Sequence, residues 1–157
     1  MIAASHCAIA MMLAAALQVP AFPQSSNPKE IPFENSRMFG LVLVKVEVNG
    51  RPAVLIVDTA SNHTIISSEL ADVTPRTLDN AVSTSKGSGF AGTGVFARTT
   101  VRVGPITWRD HRIVVMDMRE LSKSLGQKID GLLGMDFFSE FKVVVVDLKN
   151  HKLTLEP

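Results

Sequence analysis

Cysteine, tyrosine and net charge are nearly or wholly missing from this chain, and each shortage removes a class of function. The single cysteine, Cys7, lies ahead of an apolar segment near the N-terminus. The rest of the chain therefore has no disulfide, no thiol nucleophile and no cysteine-ligated zinc site. Tyrosine is absent and tryptophan occurs once, which leaves no aromatic platform for stacking bases. A formal net charge of +1 supplies no field for nucleic acid or an anionic membrane. His63, His111 and His151 show no metal-ligand spacing and no His-Glu-x-x-His helix exists. No metal and no cofactor is expected.

What is present fits one domain: 157 residues, 46% hydrophobic and 20% charged, enough to build a core. Residues 8–17 form an apolar stretch of signal-peptide length, too short to span a bilayer comfortably. Val19-Pro20-Ala21 puts small residues where a signal peptidase reads, so residues 1–21 are expected to be a signal peptide and the protein to be exported, periplasmic or secreted. The segment before the apolar stretch lacks Lys and Arg; an uncleaved anchor is the alternative, and only then is a membrane a partner. Pro23, Ser25, Ser26, Asn27, Pro28 and Pro32 mark residues 22–37 as a flexible linker. The folded domain is expected over 38–157.

Within that domain, residues 41–48 read as a strand, Asn49-Gly50 is a hairpin signal, and residues 53–57 return. Further strands are expected at 64–66, 95–103, 106–116, 129–133, 141–146 and 153–155, with short helices near 118–125 and 136–140. The stretch 78–85 is weakly patterned. Short strands with Gly and Asn turns predict an all-β, barrel-like domain.

The feature that points to chemistry is Val54-Leu55-Ile56-Val57-Asp58-Thr59-Ala60-Ser61. An apolar run reads as a buried strand, and a carboxylate at its end is either paired, used for a turn or used for catalysis. The plain reading is an Asx-turn. Gly87-Ser88-Gly89-Phe90-Ala91-Gly92 matches a dinucleotide fingerprint in letters only, because a strand-like segment and not a helix follows it. A β-hairpin tip suits it better. Asp130 reads as a loop hydrogen-bond partner and Asp136 as a helix N-terminal cap. Asp110-His111-Arg112 and Lys149-Asn150-His151-Lys152 read as solvated turns, and His63 as a partly exposed strand-edge residue.

A second element about seventy residues after the first, Ile129-Asp130-Gly131-Leu132-Leu133-Gly134-Met135-Asp136-Phe137-Phe138, changes the weight of Asp58. With it the sequence resembles the retropepsin-like aspartic peptidases, single-lobe relatives of pepsin. The order is hairpin, Asp-Thr-small-Ser, glycine-rich hairpin, Leu-Leu-Gly with a helix, and a final hairpin. The resemblance implies a single-lobe acid-protease β-barrel with one or two short helices. It implies that Asp58 is the catalytic aspartate, Thr59 the residue whose hydroxyl reaches the partner lobe, and Ala60 the residue in the place usually held by Gly. Ser61 matches the Ser or Ala that follows. Gly87, Gly89, Phe90 and Gly92 fall in the flap over substrate, and Leu132, Leu133 and Gly134 in the segment that crosses behind the active-site loop. One Asp-Thr-small motif per chain implies a homodimer acting on an extended peptide. A catalytically silent dimerisation or peptide-binding module is the alternative, with Ala60 its support.

Overall fold

The computed structural model describes residues 27–36, 39–71, 78–87 and 90–157; the expected signal peptide, the first part of the expected linker and Gly89 lie outside them. Asn49 and Gly50 both take positive φ, 50° and 78°, as a two-residue primed turn requires. That turn folds β2 (Val42–Val48) onto β3 (Arg51–Val57) in the register Val48 opposite Arg51. β4 (Ile65–Ser67) follows, then a long hairpin of β5 (Leu78–Gly87) and β6 (Phe90–Val103). β7 (Ile106–Met116), α1 (Arg119–Ser124), β8 (Gly131–Leu133) and α2 (Met135–Phe138) come next. β9 (Val143–Asp147) and β10 (Lys152–Glu156) form the final hairpin.

Strands β6-β7-β4-β8-β3-β2 are hydrogen-bonded in that order, and β2 pairs with β6 to close a six-stranded barrel. The central strands β3, β4 and β8 are short apolar runs because successive residues are buried on opposite faces. Leu55, Ile66 and Leu133 join one buried cluster with Phe137, while their neighbours Ile56, Ile65 and Leu132 join another with Phe96 and Met118. The described residues are all-β with two short helices, as their patterning predicts.

The expected linker is in part a strand. β1 (Lys29–Asn35) buries Ile31 and Phe33 while Glu30, Pro32 and Glu34 face outward. Order thus begins earlier than the prolines imply. Residues 29–32 pair with β10 and residues 33–35 with β2, so Pro32, which has no N–H to give, sits where the strand changes partner. Two other expectations change. Asp110-His111-Arg112 lies inside β7, where Asp110 has φ 47° beside a register shift; a bulge and not a turn accommodates these polar residues. The weakly patterned stretch from Leu78 is strand β5, held by its register with β6.

Candidate active site

Asp58 follows directly on β3, at the point where parallel pairing with β8 ends at Val57 opposite Leu133. The backbone N–H of Asp58 continues that ladder by donating to Leu133 O at 3.0 Å. The side chain is half-buried, between a covered strand and the exposed residues Thr59 and Ala60. Ala60 N–H donates to Asp58 Oδ1 at 3.0 Å, and Ser61 N–H to Asp58 O at 3.2 Å. Asp58 Oδ2 has no hydrogen-bond partner among the described residues. A strand-end carboxylate with one tethered and one open oxygen is aimed and still available to a ligand or proton.

Ala60 is not among the residues with positive φ, so its methyl group carries no left-handed strain. The N–H that a glycine would direct at the carboxylate is directed there by alanine.

Behind this loop β8 runs between β3, which it pairs in parallel, and β4, which it pairs antiparallel. The approach is close enough to exclude side chains. A methyl on Gly131 would lie 2.0 Å from Ile65 O, and one on Gly134 would lie 2.5 Å from both C and O of His63. Glycine is needed at these two crossings because backbones pass there. Past Gly134, Met135 N–H donates to Ser61 O at 2.8 Å and Asp136 N–H to Asn62 O at 3.2 Å. Leu132, Leu133 and Gly134 therefore stand directly against the loop bearing Asp58, Thr59, Ala60 and Ser61. Ser61 Oγ donates to His63 O at 2.7 Å.

Asp136 is not the cap of α2; Gly134 holds that position. The carboxylate turns instead to the other strand end and accepts Thr64 N–H at 2.8 Å and Thr64 Oγ1–H at 2.8 Å. Thr64, fully buried, was not singled out by sequence, although a hydroxyl beside Ile65 and Ile66 was a signal that some partner must exist. His63 lies with its Nδ1 3.9 Å from Asp136 and its ring edge-on to Phe96. Asp130, just before β8, accepts Val54 N–H of strand β3 at 2.9 Å, so its partner is a strand and not a loop.

Gly87 and Phe90 are opposite each other at the end of the β5–β6 hairpin, and Gly92 is opposite Ser85. No group of three or more His, Cys, Asp and Glu among the described residues could hold a metal ion, and no described helix is long and apolar enough to cross a membrane.

Comparison with known proteins agrees with this geometry. No curated protein sequence matches the chain significantly. Among solved structures, a retropepsin-like aspartic protease from Rickettsia conorii matches with 19% identity and TM-score 0.53 over 86% of this chain and 96% of that one. The protease of EIAV, solved with an inhibitor, is 14% identical with TM-score 0.47 over 68% of this chain and 93% of the other. The retroviral protease-like domain of Ddi1 from Leishmania major is 17% identical with TM-score 0.47, over 73% and 87%. The Rickettsia structure shows the single-lobe retropepsin-like fold for this chain. The aspartyl protease family model matches residues 44–137, a span that holds the β2–β3 hairpin, the Asp58 loop, the long hairpin and the Leu132-Leu133-Gly134 crossing, and by that match the chain belongs to the aspartyl protease family.

Proposed function

We propose that the protein is an aspartic endopeptidase whose active site forms when two copies bring their Asp58 residues together. The carrying observation is that Asp58, on a loop hydrogen-bonded from behind to the 133–136 segment, keeps one carboxylate oxygen without a partner among the described residues. One chain offers one such acid, and two-fold symmetry supplies its equal. Thr59, exposed next to Asp58, is the residue placed to grip the partner's loop.

Two carboxylates about 3 Å apart repel by roughly 5–6 kcal/mol at an effective dielectric of about 20, so the pair holds one proton between its two titrations. The charged member takes a proton from a water lying between them. The protonated member polarises the scissile carbonyl. The pair titrates as a unit. An extended peptide would lie between this floor and the β5–β6 hairpin, with Gly87, Gly89, Phe90 and Gly92 in the flap. Ala60 keeps its N–H on Asp58 Oδ1, which removes the main reason to read the chain as a silent binding module. Export of the protein, with residues 1–21 removed as a signal peptide, belongs to the same reading and rests on the apolar run at 8–17.

The test is cleavage of a fluorogenic peptide library by the protein and its Asp58→Asn variant, with pepstatin as inhibitor. Loss of cleavage in a variant that still folds and dimerises is the expected result; undiminished cleavage ends the proposal. Dilution should lower specific activity as the dimer dissociates by mass action, and a constant specific activity down to the assay limit would exclude the shared site.

A further inference from the structure

Among the described residues the loop bearing Asp58 is joined to the crossing segment by six hydrogen bonds, and three of them are backbone to backbone: Asp58 N–H to Leu133 O, Met135 N–H to Ser61 O and Asp136 N–H to Asn62 O. The remaining three use side chains. Gly134 N–H donates to Thr64 Oγ1 at 3.1 Å, and the Asp136 carboxylate accepts from the N–H of Thr64 at 2.8 Å. The Thr64 hydroxyl, having accepted from Gly134, donates its own proton to Asp136 Oδ1 at 2.8 Å. Asp136 Oδ1 also accepts its neighbour's Phe137 N–H at 2.9 Å.

We propose that Asp136 and Thr64 are positioning residues that set the height of the Asp58 loop above β8, an inference that rests on the peptidase reading. The hydroxyl has one proton and is committed on both sides, so its orientation is fixed by the two groups it bridges. The carboxylate closes the far end of a loop whose near end is the Asp58–Leu133 bond. Between those ends the backbones come too close for any side chain at Gly134, so the loop has no room to settle lower. It can only rise if the latch opens. Thr64 is fully buried; without Asp136, its N–H and hydroxyl would lie unpaired in the core, and the loop would move to find other acceptors. Displacement of a reacting group by about 1 Å is enough to cost roughly a hundredfold in rate. The latch touches no reacting atom, so its effect reaches the reaction only through where Asp58 stands.

The experiment compares the full chain with Thr64→Val, Thr64→Ser, Asp136→Ala and Asp136→Asn, measuring kcat, KM and Tm together with amide hydrogen exchange. Thr64→Val is nearly isosteric and removes only the hydroxyl, so it serves even if Asp136→Ala does not fold. Expected for Thr64→Val is a fall in kcat of about tenfold or more with KM within about twofold, and faster exchange at residues 58–64 with β2 and β3 unchanged. Thr64→Ser and Asp136→Asn each keep a hydroxyl or an acceptor oxygen and should stay within about threefold of the parent. A lowered Tm with unchanged kcat in Thr64→Val would mean that the pair merely stabilises the fold, and would overturn the inference. Should the parent cleave nothing, the peptidase reading fails by itself and exchange decides: faster exchange confined to 58–64 upholds the latch, and unchanged exchange overturns it.

Discussion

Two strands of this protein end in the same way by sequence and in opposite ways by chemistry. Val54-Leu55-Ile56-Val57 runs into Asp58, and Val143-Val144-Val145-Val146 runs into Asp147. Both aspartates fold back onto the backbone that follows. Asp147 accepts Lys149 N–H at 3.1 Å and Asn150 N–H at 2.9 Å on one oxygen, and the Asn150 amide at 2.7 Å on the other. Those bonds, the Asn150 side chain foremost, hold its carboxyl below the usual carboxylate range. Among the described residues Asp58 accepts a single side-chain hydrogen bond, from Ala60 N–H, and its other oxygen has no partner. The first acid is consumed by its turn; the second is presented by its loop. What separates Asp147 from Asp58 is how many donors the next few residues supply, together with the backing of β8 and α2 behind Asp58.

Breaking that comparison should give the largest effect in activity. Asp58→Asn should lower kcat by at least about a hundredfold, the scale of a lost acid-base group, while Asp147→Asn leaves peptide cleavage within about twofold. Equal losses would erase the distinction. The next effect is in stability: Leu133→Ala, fully buried behind the loop, should cost about 2–5 kcal/mol in urea unfolding. Its counterpart Val145→Ala, on the exposed edge strand, should change stability by less than about 0.5 kcal/mol. Gly134→Ala forces a methyl against the His63 backbone and should cost about 1–3 kcal/mol, read as a lower urea midpoint at unchanged slope.

The smallest effect sharpens the comparison through pH. Because the folded Asp147 carboxyl is held low, its contribution to stability is present above the ordinary carboxylate value of 3.8 and is lost as pH falls through the depressed one. Asn150→Ala removes the first cause of that depression, so Tm should fall less steeply on acidification in the variant than in the parent. His111 behaves likewise nearer neutrality. Burial lowers its pKa against the opposing pull of Asp136 and Glu140, so folding loses stability as pH falls from about 6.5 through the lowered value. His111→Gln should flatten that limb of the Tm profile.

Much of this was legible because period-two patterning and turn chemistry are local. Asn49-Gly50 specified its own hairpin, and the apolar runs specified strands buried on both faces. The loop and the crossing were legible as an ordered pair of motifs. Three things were not. Ile31 and Phe33 alternate correctly in β1, but Pro28 before them and Pro32 between them read as linker, and only the change of partner at Pro32 shows why a strand tolerates one. Asp136 precedes a helical turn and so resembled a cap; its true partner, Thr64, is seventy-two positions away in sequence. Asp58 and Asp147 share a local pattern, and no local pattern tells which of them will have a free oxygen.

β1 joins the last hairpin to the barrel, since among the described strands β10 has β1 and β9 as its neighbours. The register that does so sets Lys29 against Leu155, residues from opposite ends of the described chain. Closing so long a loop is entropically slow. On the ribosome the part of β1 that carries Ile31 must therefore wait until β10 has been made, although Phe33 already has β2 to pair with. The first of the described strands is among the last to complete its pairing, and that interval is when a chaperone would have most to hold.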